Sequence, residues 1–150
     1  MPDIISTDHP LTRTQRALLA ALLDTLVPAS DDGAMPSAAD VDFDAYLRAQ
    51  AADFVPHLAD ALGHFEPSFA DQSPDARCER VREFSAVQPA LFQLLLTRAY
   101  DCYYQDDRVR AQIGVVAGAP FPQGNQIPAG DLSLLDPVIA NAARHAYRKS

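Results

Sequence analysis

The chain has 150 residues, 48% of them apolar, and carries 20 acidic against 12 basic side chains for a net charge of −8. A chain of this length can bury about 68–70% of its unfolded surface in a single domain. The acidic balance, with Lys149 the one lysine, argues against a nucleic-acid partner, because neutralising phosphates needs clustered Lys and Arg.

In chain order, residues 1–10 form a loose lead. Thr12 is a suitable N-cap and Gln15, three residues on, closes a capping box. The leucine-rich helix that follows carries Leu18, Leu19, Leu22, Leu23 and Leu26 on one face, with Arg13, Arg16, Ala20 and Asp24 opposite, and stops before Pro28. PASDDGAMPSAAD is a loop by its Pro, Gly, Ser and Asp content. A second helical region starts near Ser37–Asp40; Phe43, Tyr46, Leu47, Phe54, Leu58, Leu62 and Phe65 form its inner face. Pro56 breaks or kinks it around Ala51–Val55. Ser73 caps a further helix with Pro74 at its first position, and Cys78, Val81 and Phe84 share its inner side.

PALFQLLLTRAYDCYY, residues 89–104, is apolar almost all round the helical wheel, which predicts a central helix buried on most sides. With Arg98 and Asp101 inside sixteen residues it is too short and too polar to span a membrane. QDDRVRAQIG then forms a short helix capped by Asp106 or Asp107 and ended by Gly114. Residues 115–131 hold three prolines and three glycines and form an irregular arm. Leu132, Leu134 and Leu135 dock after it, and a last helix runs from Pro137 to Tyr147. No internal repeat and no alternating strand pattern occurs. The expected architecture is all-α: one domain over residues 1–150, with about five to six helices compactly arranged around the 89–104 helix and an irregular Pro/Gly-rich arm over about 114–131.

The chemical inventory is sparse. Asp53, His57, Asp60 and His64 share one helical stripe and offer imidazole and carboxylate ligands for a divalent metal, but the same stripe is the solvated face of an amphipathic helix. Asp40, Asp42 and Asp44 open like a calcium loop, yet Ala45 and Ala51 stand where that loop needs Gly and Glu. Glu66, Glu79 and Glu83, the three glutamates, have no His three residues later, as a di-iron bundle would require. No nucleophile elbow, phosphate-cradling loop or zinc-ligand spacing is present. Cys78 and Cys102 sit at apolar helical positions and behave as small buried hydrophobes by default, with a disulfide between them left open. The N-terminus carries no export signal, which gives a cytoplasmic address by default.

The segment LTRTQRALLAALLDTLVPASDDGAMPSAADVDFDAYL joins a helix, a Val-Pro turn and a small-residue linker to an aromatic helix. The segment YYQDDRVRAQIGVVAGAPFPQGNQIPAGDLSLLDPV joins tyrosines, a short helix, a glycine and the Pro/Gly arm. In this order and spacing, over about Leu11 to Val138, they resemble the gluconate 2-dehydrogenase subunit 3 family, small helical subunits of membrane-associated or periplasmic flavin dehydrogenases of sugars and sugar acids. The resemblance implies a non-catalytic partner of a large FAD-dependent oxidoreductase of the glucose–methanol–choline type, supporting its folding and export. It places FAD in the large subunit and no cofactor on this chain, adds a cytochrome c subunit in some complexes, and implies a periplasmic address if the two chains are co-exported. Family members commonly carry a twin-arginine signal, which is absent here.

From the residues, the candidate partner-binding set is Tyr103 and Tyr104 with Phe121, Gln123, Asn125 and Ile127 on the arm, whose prolines lower the ordering cost of binding. The arm equally suits covering the chain's own core. Two other functional readings stay open: a small metal-binding bundle built on His57 and His64, and a self-associating helical protein.

Overall fold

The structure, a computed structural model, describes residues 10–115, 130 and 132–142. Seven α-helices and no strand occur among the described residues, an all-α fold. The chain forms two compact units, Met1–Gly118 and Ala119–Ser150. The first holds α1 (Arg13–Leu26), α2 (Phe43–Gln50), α3 (Val55–Gly63), α4 (Pro74–Val87), α5 (Pro89–Tyr103) and α6 (Asp107–Gln112). The second holds a 3₁₀ helix, Leu132–Leu135, that runs into α7 (Asp136–Ala142). The expected loose lead, apart from Pro10, and the arm between residues 116 and 129 lie outside the described residues, as does the last helix beyond Ala142.

Short-range chemistry sets the helix ends. Thr12 Oγ1 accepts from the Gln15 amide at 3.1 Å while Gln15 Oε1 accepts from the Thr12 amide at 2.9 Å, a closed capping box. Ser73 Oγ accepts from the Ala76 amide with Pro74 in the first turn of α4. Asp106 caps α6, and Gly114, at φ 78°, takes the left-handed conformation just past its end.

The second helical region differs from its expected form. Ser37–Asp40 does not open a long helix; Ser37 caps a separate 3₁₀ turn, Ala38–Asp40, and Val41 is extended. The reason is a second cap: Asp42 Oδ1 accepts from the Ala45 amide at 2.9 Å and starts α2 afresh. Two of the three aspartates therefore serve separate caps, Asp40 reaching back to the Ser37 amide and Asp42 reaching forward, while Asp44 falls in the first turn of α2. Farther on, Pro56 sits in the first turn of α3, and the 3₁₀ turn Ala52–Phe54 separates α3 from α2. Proline cannot donate backward and its ring clashes one turn earlier, so the break falls where the sequence pattern puts it.

Helix α1 buries Leu18, Leu19, Ala21, Leu22 and Leu23. It packs against the Ala38–Asp40 turn, α3, α4 and the 3₁₀ helix Pro67–Asp71. Its Leu18, Leu19, Leu22 and Leu23 join Phe43, Tyr46 and Leu47 of α2 with Leu58 and Leu62 of α3 in one core. Phe65 stacks on Phe69 at 4.8 Å and on Phe84 at 5.1 Å, which closes one end of that core.

Burial on α5 is narrower than its wheel predicts. Leu95, Ala99, Cys102 and Tyr103 are buried, Leu91, Phe92, Leu94 and Leu96 are half-buried, and Tyr100 is exposed. The helix packs on α4, α3 and α2, which leave Gln93, Thr97, Tyr100 and Tyr104 toward solvent.

Cys78 is exposed rather than on the inner side of α4. Arg77, Val81 and Phe84, spaced four and three apart, take that side, and Arg77 goes inward because Asp24 awaits it at 3.2 Å. Both cysteines are free. Burial first, then Asp42 and Asp106, push the Cys102 thiol up to about 11. The exposed Cys78 is therefore expected to be alkylated promptly in native protein and Cys102 only on unfolding. The raised value also has a stability consequence. The unfolded thiol ionises near 9 while the folded one keeps its proton to about 11, so this contribution is complete below pH 9 and disappears as pH rises through 11. Urea unfolding across that window should cost the native chain more than Cys102→Ala, by on the order of 1 kcal/mol once solvent screening at the cleft is allowed for. Equal losses in the two proteins would show that the thiol is not held in this environment.

Candidate partner-binding surface

The end of α5 sorts its tyrosines by helical phase. Tyr103 follows Ala99 and Cys102 onto the inner edge, is 2% exposed, and donates its hydroxyl to the Pro36 carbonyl at 2.8 Å. Burial first, then Tyr104 and Asp106, raise its phenol above the ordinary range. Tyr103, expected among the partner-binding candidates, is thus held inward as a strut between α5 and the loop before α2. Tyr104, one step round the wheel, is 51% exposed; its ring centre lies 6.1 Å from that of Tyr100 and 5.4 Å from that of Tyr103. Beside it the side-chain amides of Gln50 and Gln105 bond reciprocally at 2.7 and 3.2 Å, clasping the end of α2 to the chain after α5. The arm candidates Phe121, Gln123, Asn125 and Ile127 lie outside the described residues.

The Asp53, His57, Asp60 and His64 stripe does not survive as one array. Asp53 belongs to the Ala52–Phe54 turn and lies 3.8 Å from Arg98 of α5, whose guanidinium sits 6.0 Å from the centre of the Phe54 ring. His57 and Asp60 project from α3 into solvent. His64 caps the C-terminus of α3, half-buried, with its ring 5.3 Å from Phe84. Pro56, by splitting the helix, moves Asp53 onto another element. Among the described residues no three His, Cys, Asp or Glu side chains come together as a metal-binding group. No helix among them is long and apolar enough to cross a membrane.

Two surfaces were not foreseen. In the second unit, Leu134, Leu135, Val138 and Ile139 are 78%, 48%, 62% and 65% exposed, although these leucines were expected to dock. Their spacing pairs 134 with 138 and 135 with 139, so they form one apolar strip along the helix. The four-residue periodicity was visible in the sequence; its exposure was not. In the first unit, a cleft of about 270 Å³ lies between α2 and the end of α5, with Asp42, Ala45, Ala49, Gln50, Cys102 and Asp106 in its lining. Cysteine and carboxylates far apart in sequence meet there, which no local motif signals. In comparisons with known proteins, the chain matches no family model, no curated protein and no solved structure.

Proposed function

We propose that this chain is a non-catalytic subunit that binds and stabilises an FAD-dependent oxidoreductase of the glucose–methanol–choline type, with the flavin and the redox chemistry on the larger partner and, in some assemblies, a cytochrome c subunit beside it. The observation that carries the proposal is the strip Leu134, Leu135, Val138 and Ile139, four large apolar side chains turned to solvent on one short helical segment. A contiguous exposed apolar strip marks a surface that another macromolecule covers. Three of the four, Leu134, Leu135 and Val138, fall within the second of the two segments that resemble the gluconate 2-dehydrogenase subunit 3 family. The exposed Tyr100 and Tyr104 add amphipathic rings of the kind enriched at protein interfaces.

Co-expression with the flavoprotein encoded beside this chain, followed by affinity capture, tests the proposal. The native chain should recover the flavoprotein, and Leu134→Asp with Val138→Asp should lower recovery on the order of tenfold, the loss from removing about 1.4 kcal/mol of apolar contact. Absence of any complex with the native chain rejects the proposal. Light scattering supplies a second arm: a dimer dissolved by the same substitutions would assign the strip to a twin copy instead.

A further inference from the structure

The α2–α5 cleft does not stand alone. A second cleft, of about 170 Å³, lies between α1 and the 39–44 segment, with Leu19, Leu23 and Phe43 in its lining and Arg16 and Asp44 at it as well, and both clefts share Val41 and Asp42. The first is smaller than the roughly 300–1,000 Å³ typical of small-molecule sites, which suits it to single side chains rather than to a whole ligand. Among the described residues its charged lining is Asp42 and Asp106, with no basic side chain. Asp106 is engaged by Arg108, through the backbone amide at 2.9 Å and the guanidinium at 3.1 and 3.0 Å. Among the described residues Asp42 makes no ion pair, although Arg16 lines the second cleft with it; one of its oxygens accepts the Ala45 amide at 2.9 Å, and a carboxylate has capacity for further donors. Burial first, and then the nearby Asp42 and Asp106 carboxylates, keep the Cys102 thiol at the cleft protonated. Val41, Ala45 and Ala49 form an apolar wall with short side chains.

We propose that the paired clefts on either side of Val41–Asp42 form a docking groove for a peptide segment of a partner protein, one whose Arg or Lys side chain enters the α2–α5 cleft. The methylene stem lies along Val41, Ala45 and Ala49, and the cationic head ends against Asp42. A neighbouring apolar side chain of the same segment occupies the cleft of Leu19, Leu23 and Phe43. The recognised chemistry is therefore an apolar and a basic residue a few positions apart, drawn in by an acidic chain of charge −8. The groove gives the accessory role proposed above a specific contact and rests on that role only for the partner's identity.

The test uses the full chain, labelled with nitrogen-15, titrated with acetyl-Leu-Gly-Arg-amide and with acetyl-Leu-Gly-Glu-amide. The arginine peptide should move the amide signals of Ala45, Ala49, Gln50 and Gln105, and the glutamate peptide should not. Asp42→Asn keeps a good helix cap and should weaken the arginine peptide on the order of fivefold, the upper range for a solvent-exposed charge contact. Ala49→Leu, at an exposed α2 position, fills the cleft and should abolish the response. No localised shifts at millimolar arginine peptide, an equal response to the glutamate peptide, or an unchanged affinity in both variants overturns the groove. Peptide binding without flavoprotein capture would instead reject the accessory role and leave the groove standing.

Discussion

Phe54→Ala is expected to destabilise the first unit by about 4 kcal/mol, within the range of buried Phe→Ala substitutions. Phe54 is 1% exposed and ends the turn that joins α2 to α3, with the Arg98 guanidinium near its ring. Truncation removes the transfer energy of the ring and leaves a cavity beneath it that two short helices cannot close without shifting. It also strips the cationic side chain of Arg98 of its aromatic contact. Against a total stability of about 5–15 kcal/mol for a domain, the loss would be seen directly as a shifted urea midpoint. Phe54→Leu keeps most of the volume and should cost less than about 1.5 kcal/mol. If alanine cost less than about 0.5 kcal/mol, the level of an ordinary surface substitution, Phe54 would not be where the core places it.

Asp24→Ala is expected to cost about 2–3 kcal/mol. Asp24 Oδ2 takes the Arg77 guanidinium at 3.2 Å, and its other oxygen accepts from the buried Ser37 hydroxyl at 2.8 Å. The carboxylate therefore ties α1 to α4 and to the turn before α2. Arg77 also reaches the Ala21 carbonyl at 3.4 Å, and its side chain is 14% exposed against 38% for Asp24. Breaking a fully buried pair costs about 3–5 kcal/mol because one charge is left uncompensated; the partial exposure of Asp24 lowers that figure by solvent screening. Arg77→Met removes the stranded charge and keeps most of the packing, so Asp24→Ala combined with Arg77→Met should be no less stable than Asp24→Ala alone. A double-mutant cycle measures this coupling. Additive losses would show that the two side chains do not act together.

These two sites mark the boundary of what the sequence discloses. The capping box at Thr12 and Gln15, the Ser73–Pro74 start, the Asp106 cap, the Gly114 stop and the Pro56 break are all legible, because each depends on atoms within four residues. The Leu18–Leu23 face and the Phe54, Leu58, Leu62 and Phe65 stripe are legible because periodicity names an inner side. Which other elements then arrive is not local information. The apolar circumference of α5 says that burial is tolerated all round, not that neighbours exist on every side. Arg77 displaces Cys78 from the interior of α4 because a carboxylate on α1 receives it, and a hydropathy pattern ranks cysteine above arginine. Tyr103 and Tyr104 differ by one step of helical phase, and the Pro36 carbonyl that decides their roles lies far back in the chain. The strip at 134–139 has the periodicity of a buried face, which does not reveal what covers it.

The breaks at Asp42 and Pro56 leave α2 with eight residues and α3 with nine. Segments shorter than about 12–15 residues gain too few propagating bonds to repay nucleation in water, so neither helix stands without the leucines of α1 and the inner edge of α5. By contrast α1, α4 and α5 run to 14, 14 and 15 residues and can flicker into helix early in folding. The amides of α2 and α3 should consequently share a single opening event in native-state hydrogen exchange, coming apart as one foldon rather than fraying independently from their ends.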